Sequence, residues 1–384
     1  MFLRLFRIGF ALIVLAALGV GALGIYGYNA FERAGPLEQD KTLVIARGTG
    51  VAGIAQQLRD EGVLREPLVF RAGVELLGRS RDLRAGEYAF PAAISQRGIV
   101  DLLSSGKTVM RRVTIPEGLT SQEILALVNG VDGLVGEAKD VPPEGSLLPE
   151  TYHFSYGDDR AALVGRMQAD MRAMVTELWE NRAEDLPLNT PEEAVVLASI
   201  IEKETGVAAE RDVVASVFVN RLRQGMKLQS DPTVVFALTE GKAPLGRALT
   251  RKDWQVDHPY NTYRIEALPP GPIANPGRAA VEAALNPAET KFIFFVADGS
   301  GGHAFAETLK QHNRNVARWR QIKADSDSAG PRSHDPLFRA ALFRHCEPMA
   351  MQSRVCWFGR PPLSSTSGSP RRLRLAMTEE GGSR

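Results

Sequence analysis

The N-terminal segment of this chain constrains its fold and location more than any other feature. Residues 8–28 form an apolar run that contains no charged side chain. As a helix this run spans about 31 Å, close to the hydrocarbon thickness of a bilayer. Two arginines precede it and several acidic residues follow it. The positive-inside rule therefore predicts a membrane anchor with residues 1–7 in the cytoplasm and the remainder of the chain exported.

Two other interpretations of this segment remain open. Small residues at positions 17, 19 and 22 could serve a signal peptidase, although the apolar core of a signal peptide is usually only about 7–15 residues long. A buried core helix is less favoured, because no polar stripe interrupts the run.

The charge balance and the cysteine positions exclude several classes of protein. The 46 Lys and Arg residues are matched by 45 Asp and Glu residues, which leaves a net charge of +1. A chain without a basic excess lacks the electrostatic footprint of nucleic-acid binding. The two cysteines, Cys346 and Cys356, cannot form a zinc ribbon, an iron–sulfur site or a disulfide scaffold.

A weak internal repeat follows the apolar segment. Residues 45–58 align with residues 115–128, and residues 90–103 keep the apolar part of the same pattern. Each copy predicts a short strand, a turn and an amphipathic helix. Thr120 and Glu123 form a capping box at one of these helix starts. Units of this size resemble LysM modules, which bind polymers of N-acetylglucosamine, but a purely structural role remains an equal alternative.

A helix that begins near Thr190 carries the first catalytic candidate. Thr190 is suited to cap the helix, and residues 194–201 are apolar on nearly every side, as in a buried helix. Glu202 follows directly. A carboxyl in apolar surroundings, near the negative end of a helix dipole, holds its proton more tightly and can serve as a general acid.

Glu202 and Glu204 could instead be the solvated last turn of this helix, paired with Lys203 or Arg211. Because they are two residues apart on a helix, they face different directions, so they are unsuited to be the acid and nucleophile of an ordinary glycosidase. One of them could act alone.

Seven motifs resemble those of the endolytic murein transglycosylase (YceG-like) family. They are LPETY (148–152), LASIIEKET (197–205), SDPTV (230–234), YNTY (260–263), LPPGPI (268–273), NPG (275–277) and HAF (303–305). The resemblance extends over residues 1–322. Because the motifs are spread along one chain, the resemblance is highly specific, and the family's catalytic glutamate falls on Glu202.

The resemblance implies an α+β fold with one transmembrane helix in the inner membrane, a LysM-like subdomain at residues 40–130 and a periplasmic catalytic domain at residues 145–323. The implied enzyme is a lytic transglycosylase that cleaves the MurNAc–GlcNAc bond of nascent peptidoglycan, leaves 1,6-anhydroMurNAc ends and terminates glycan elongation. Peptidoglycan synthases are implied as neighbours, and no metal or organic cofactor is expected. The alternative is a membrane-anchored peptidoglycan-binding protein without catalysis.

Several side chains in the motif loops are predicted to form a sugar-binding cleft. They are Asp231, Tyr260, Asn261, Tyr263 and His303. Tyrosine and asparagine combine packing surface with hydrogen-bonding tips that suit saccharide rings, although ordinary packing explains them equally well. The histidine could be structural or catalytic. Asp231 and Asn275, each followed by proline, are also predicted to cap helices.

The C-terminal part of the chain is predicted from residue 291 onward. Residues 291–297 indicate a buried strand, a glycine-rich turn follows, and His303 begins a partner strand. An amphipathic helix is predicted over residues 307–323. Residues 326–384 are predicted to be a disordered basic tail, because nine arginines and four acidic residues lie after residue 330 and stretches such as residues 363–370 cannot bury a core.

Overall fold

The computed structural model describes residues 2–328, which form a mixed helix and strand fold, as the α+β prediction requires. The helices are α1 (Phe2–Glu32), α2 (Val51–Asp60), α3 (Pro67–Leu76), α4 (Gln96–Ser105), α5 (Ser121–Asn129), α6 (Arg160–Glu180), α7 (Pro191–Glu204), α8 (Arg211–Arg223), α9 (Asp231–Thr239), α10 (Arg278–Leu285) and α11 (Leu309–Ser328). The strands are β1 (Lys41–Ile45), β2 (Gly86–Phe90), β3 (Met110–Thr114), β4 (Thr151–Ser155), β5 (Phe294–Ala297) and β6 (His303–Ala306).

Helix α1 contains the apolar segment and projects from the rest of the fold. Its stretch Phe6–Glu32 is long and apolar enough to cross a membrane, and its most apolar window is not buried by protein. Only the end of the helix is packed, where Ala30 and Phe31 are buried against α3 and α4. The ring of Phe31 occupies the space beside Gly73 where another residue would carry its side chain. The apolar helix is therefore joined to the folded region by a packed contact.

The strand–turn–helix form predicted for all three repeat copies is confirmed. β1 leads into α2, β2 leads into α4, and β3 leads into α5. The capping box of Thr120 and Glu123 is also present at the start of α5. The copies differ in how their strands pair, however, and this difference determines where each copy lies.

The first two copies form one core and the third copy contributes to another. β1 pairs antiparallel with β2, and α2, α3 and α4 close a core that includes Leu58, Phe70 and Tyr88. β3 pairs instead with β4, so the third copy shares a second core with the first half of α6. The third copy is thereby packed with residues that lie beyond position 145 in the sequence.

A third core surrounds α7. The second half of α6, together with α8 and α10, packs around this helix, and the β5–β6 hairpin lies against α8. The predicted hairpin is confirmed, with Ala297 opposite His303. The strand is shorter than predicted, because it begins at Phe294 instead of residue 291, and its residues are half-buried or exposed instead of buried.

Other element boundaries also correct the sequence-based expectations. Ser230 stands at the N-cap of α9 and Asp231 is the first helical residue, so Asp231 is not the cap. Gly277, not Asn275, stands at the N-cap of α10. The last helix is Leu309–Ser328, later than the predicted 307–323. From residue 329 onward the predicted tail, including Cys346 and Cys356, lies outside the described residues.

Candidate active site

Helix α7 fixes the position of the predicted catalytic glutamate. It begins as predicted: the side chain of Thr190 accepts the N–H of Glu193, and Pro191 lies in the first turn. Residues 194–201 are all buried. The helix continues to Glu204, so Glu202 lies in its last turn, at the end of a buried helix that has little freedom to move.

Glu202 is almost completely enclosed. Its side chain is 7% exposed, and its Oε2 accepts the backbone N–H of Gly277 at 3.0 Å. The Nη2 of Arg211 lies 4.0 Å from Oε1. Burial raises the pKa of Glu202, and the charge of Glu117 raises it further, against the opposing effects of the Gly277 N–H, Arg211 and Lys203. A carboxyl that holds its proton more tightly than usual is suited to general acid catalysis.

The loop between β3 and α5 packs directly beside Glu202. The N–H of Gly118 donates to the backbone oxygen of Asn275 at 3.0 Å, and the N–H of Asn275 donates to Leu119 at 2.9 Å. The Nζ of Lys203 donates to the backbone oxygen of Gly118, also at 3.0 Å. A side chain at position 118 would contact Cγ of Glu202, and Gly118 also has a φ of +75°, which favours glycine. The third repeat copy therefore forms one wall of the site.

Glu204 faces a different environment from Glu202, as helical spacing predicts. Its Oε1 accepts the hydroxyl of Ser230 at 2.6 Å, and burial raises its pKa to about 7. Its charged neighbours are Asp231 and Arg221. Glu202 and Glu204 are both partly buried, so the last turn is not freely solvated, although Glu202 does lie near Arg211 and Lys203 as that interpretation expected.

Asp231 and Tyr263 are paired with each other. The hydroxyl of Tyr263 donates to Oδ1 of Asp231 at 2.7 Å, and Nε1 of Trp254 donates to the same oxygen at 2.9 Å. Burial and the charge of Asp231 raise the pKa of Tyr263 well above its usual range. These contacts join the start of α9 to the loop that precedes α10.

Tyr260 and Asn261 lie in that same loop and differ in accessibility. Tyr260 is half-buried, and its ring lies 4.8 Å from the ring of Phe236, centroid to centroid. Asn261 is fully buried, and its amide donates to the backbone oxygens of Trp254 and Val256 and accepts the N–H of Tyr263. The Asn261 side chain thus holds the loop in shape.

His303 lies at the start of β6 and contacts Glu210. Its Nδ1 is 2.9 Å from Oε2 of Glu210, and its backbone N–H donates to Oε1 of the same carboxylate. Glu210 immediately precedes Arg211, which faces Glu202. His303 is therefore connected to the catalytic candidate through the segment that carries Arg211.

The structure thus arranges the predicted residues in two groups. Asp231 and Tyr263 lie near Glu204. His303 contacts Glu210, the residue that precedes Arg211, and Arg211 faces Glu202. Three residues that surround Glu202 were not selected from the sequence as site residues; these are Glu117, Gly118 and Gly277. Arg211 was considered there only as an ion-pair partner. Among residues 2–328, no group of three or more His, Cys, Asp or Glu side chains is arranged to hold a metal ion.

Comparison with known proteins finds similar chains in several bacteria. An endolytic murein transglycosylase of Bacillus subtilis is 32% identical over 335 residues, which cover 77% of this chain and 89% of the relative. A protein of the same name from Streptococcus pneumoniae is 28% identical over 358 residues, which cover 80% of this chain and 64% of that longer protein. The crystal structure of a yceG-like protein from Listeria monocytogenes matches with 30% identity and a TM-score of 0.42, over 72% of this chain and 99% of that one.

The sequence model of the YceG-like family matches residues 43–318, which is well over half of the chain. The matched range contains the end of β1, all three repeat copies, α7 and the β5–β6 hairpin. The chain therefore belongs to the YceG-like family.

Proposed function

We propose that this protein is a membrane-anchored endolytic murein transglycosylase and that Glu202 is its single acid–base group. The observation that carries the proposal is the setting of Glu202: a buried carboxyl with a raised pKa, fixed through one oxygen by Gly277. The relatives named endolytic murein transglycosylase support the reaction class.

The proposed reaction needs only one carboxyl group. Protonated Glu202 gives its proton to the glycosidic oxygen as the bond between C1 of MurNAc and that oxygen breaks. The 6-hydroxyl of the same MurNAc then forms a bond to C1 and returns its proton to the Glu202 carboxylate. The products are a 1,6-anhydroMurNAc end and a free 4-hydroxyl on GlcNAc, and the glutamate is regenerated.

The surroundings of Glu202 suit both halves of this cycle. Burial and the charge of Glu117 favour the protonated form that the first step requires. The positive charges of Arg211 and Lys203 oppose this effect, so they stabilise the carboxylate that forms after the first step. Because the Glu202 side chain is only 7% exposed, few water molecules can reach the carboxyl, which favours attack by the sugar hydroxyl.

We propose that the side chains predicted to bind sugar contribute unequally. Tyr260 is half-buried and could offer its hydroxyl or the edge of its ring to a saccharide. Asp231, Asn261 and Tyr263 have their polar atoms committed to one another or to the loop backbone, so we expect them to act by shaping the cleft. We expect His303 to act through the position of Arg211.

The location of the protein and its wider glycan contacts form part of the same proposal. The arginines at the start of α1 and the apolar composition of the run that follows support an inner-membrane anchor with the catalytic region in the periplasm. The strand–turn–helix copies within residues 40–130 support a LysM-like glycan-binding region. The third copy adjoins Glu202, so a strand bound by that region could continue into the site. Peptidoglycan synthases, which produce nascent strands, are the expected neighbours.

The test of this function is the replacement of Glu202 by glutamine. Loss of a general acid–base group lowers a rate by roughly 10²–10⁴-fold, and we expect the upper end because both proton transfers use one residue. The measurement is release of 1,6-anhydro products from purified glycan, followed by mass spectrometry. Thermal unfolding of the variant verifies that it is folded.

Glu192→Gln is the matched control. Glu192 is exposed in the first turn of the same helix, so the same chemical change there should leave product release nearly unaltered. Near-normal release by a folded Glu202→Gln variant would remove Glu202 from the mechanism. Glycan binding by the wild-type protein without any anhydro product would favour the non-catalytic alternative.

A further inference from the structure

Glu117 lies in the loop between β3 and α5, and its carboxylate is placed over the α-carbon of Gly277. A β-carbon built at Gly277 would overlap with this carboxylate. The side chain of Glu117 is exposed, and no hydrogen bond within residues 2–328 engages it. An acidic group thus occupies the space that a larger residue at position 277 would fill.

Gly277 joins this carboxylate to the catalytic candidate. Its N–H donates to Oε2 of Glu202, while its α-carbon contacts Glu117, so two carboxylates lie against one glycine. The other charged groups that face Glu202 are Arg211 on α8 and Lys203 on α7 itself. Glu202 therefore has one anionic neighbour, supplied by the third repeat copy, and two cationic neighbours from the helical core.

We propose that Glu117 is a positioning residue of the active site, which acts through its charge to keep Glu202 protonated in the free enzyme. This inference rests on the proposed function of Glu202 as general acid. Like charges close together disfavour ionisation of both, and here Glu202 is the buried member while Glu117 remains in contact with water. The direction agrees with the raised pKa of Glu202, to which Glu117 contributes.

A second consequence is that Glu202 has its anionic neighbour only when the loop between β3 and α5 is packed against the helical core. Lys203 and Asn275 hold the loop through Gly118 and Leu119, and Glu117 directly precedes these residues. If the loop moved away, Glu202 would lose its anionic neighbour and its proton would be held less tightly. The protonation of Glu202 therefore depends on the region that is proposed to hold the glycan.

The test is the pH dependence of kcat/KM for release of anhydro products by the full-length protein and by Glu117→Gln. A general acid must be protonated, so activity falls as the pH rises through the pKa of Glu202. Removal of the Glu117 charge lowers that pKa, so the alkaline limb should move to lower pH. The ratio of wild-type to variant activity should be near one at low pH and should rise with pH. A merely structural role would lower activity by the same factor at every pH.

Gly277→Ala provides an independent variant. The backbone of Gly277, with φ −76° and ψ 169°, is one that alanine adopts easily, so the methyl group displaces only the flexible end of Glu117. The alkaline limb should move in the same direction as in Glu117→Gln, and the double variant should show no larger displacement than Glu117→Gln alone.

Glu123→Gln is the matched control. It removes the same charge from the same segment, and glutamine can still accept the N–H of Thr120 in the capping box. Its alkaline limb should coincide with that of the wild type. An equal shift in Glu123→Gln, or an unmoved limb in a folded Glu117→Gln, would overturn this inference alone. Absence of anhydro product from the wild type at every pH would overturn the proposed function and this inference with it.

Discussion

Asn275 connects the loop between β3 and α5, called here the repeat loop, to the catalytic core. Its replacement by alanine should lower the stability of the fold and loosen that loop. Its side chain is fully buried. Its Oδ1 accepts the N–H of Leu147 at 2.9 Å, and its Nδ2 lies 3.1 Å from both the Leu119 oxygen and Oγ of Ser121, with Oε2 of Glu144 at 3.3 Å. One amide thus connects two separate segments of the chain, residues 119–121 and 144–147, to the loop that carries Gly277.

The size of the effect follows from this hydrogen bonding. An amide has two N–H donors, so the three nearby acceptors share two full hydrogen bonds. Each lost bond costs roughly 1 kcal/mol net, and a buried N–H left without a partner at Leu147 costs about 1–3 kcal/mol. We therefore expect Asn275→Ala to lower the free energy of unfolding by roughly 3–5 kcal/mol. In a domain of about 150–250 residues this corresponds to a Tm decrease of roughly 10 °C.

Urea denaturation measures the loss, and hydrogen exchange at the amides of Gly118 and Ser121 shows where it acts. Asn261→Ala is the matched control, because Asn261 is equally buried but its side-chain hydrogen bonds stay within its own loop. Both variants should be destabilised, but only Asn275→Ala should accelerate exchange in the repeat loop. A loss below about 1 kcal/mol, or equal exchange in both variants, would refute this account of the junction.

Two further predictions concern stability and topology. Burial raises the pKa of Glu204 from its ordinary 4.5 to about 7, so the folded protein binds this proton more tightly than the unfolded chain, and the resulting stability is lost as pH rises through 7. Glu204→Gln should flatten the decline of urea stability between about pH 4.5 and pH 7.5, and an unchanged slope would contradict this. A reporter active only after export, fused after Lys323, should be active if α1 inserts with its arginines in the cytoplasm. Activity only of a cytoplasmic reporter at that position would reverse the orientation.

Helices whose start signals are local were predictable from the sequence. The cap at Thr190, the proline after it and the apolar run together define α7. Helix α10 also follows a local signal, because an Asn-Pro pair on each side limits a short alanine-rich segment. The repeat copies were recognisable for the same reason, since strand, turn and helix each leave a pattern within about fifteen residues.

The assembly of the site was not predictable in this way. Gly277 and Glu202 are 75 residues apart in sequence, and Lys203 and Gly118 are 85 apart. Such contacts depend on how the cores pack, and no periodicity within a segment reports them. The available signals were weak: the glycine of the turn before α5, and the glycine that precedes α10. Both indicate close backbone approach or a turn without naming the partner.

Burial alone does not distinguish the two acids of α7, since it raises the pKa of both Glu202 and Glu204. Each carboxyl also accepts one hydrogen bond, so what separates them is the surroundings of each side chain. Glu204 accepts a short hydrogen bond from Ser230, and its charged neighbours lie inside the fold. Glu202 is fixed through Oε2 only; its Oε1 has Arg211 no closer than 4.0 Å, beyond hydrogen-bond distance. Proton transfer to and from a sugar requires a carboxyl oxygen that no fixed donor occupies, and Oε1 of Glu202 meets that requirement beside the loop that carries the exposed Glu117.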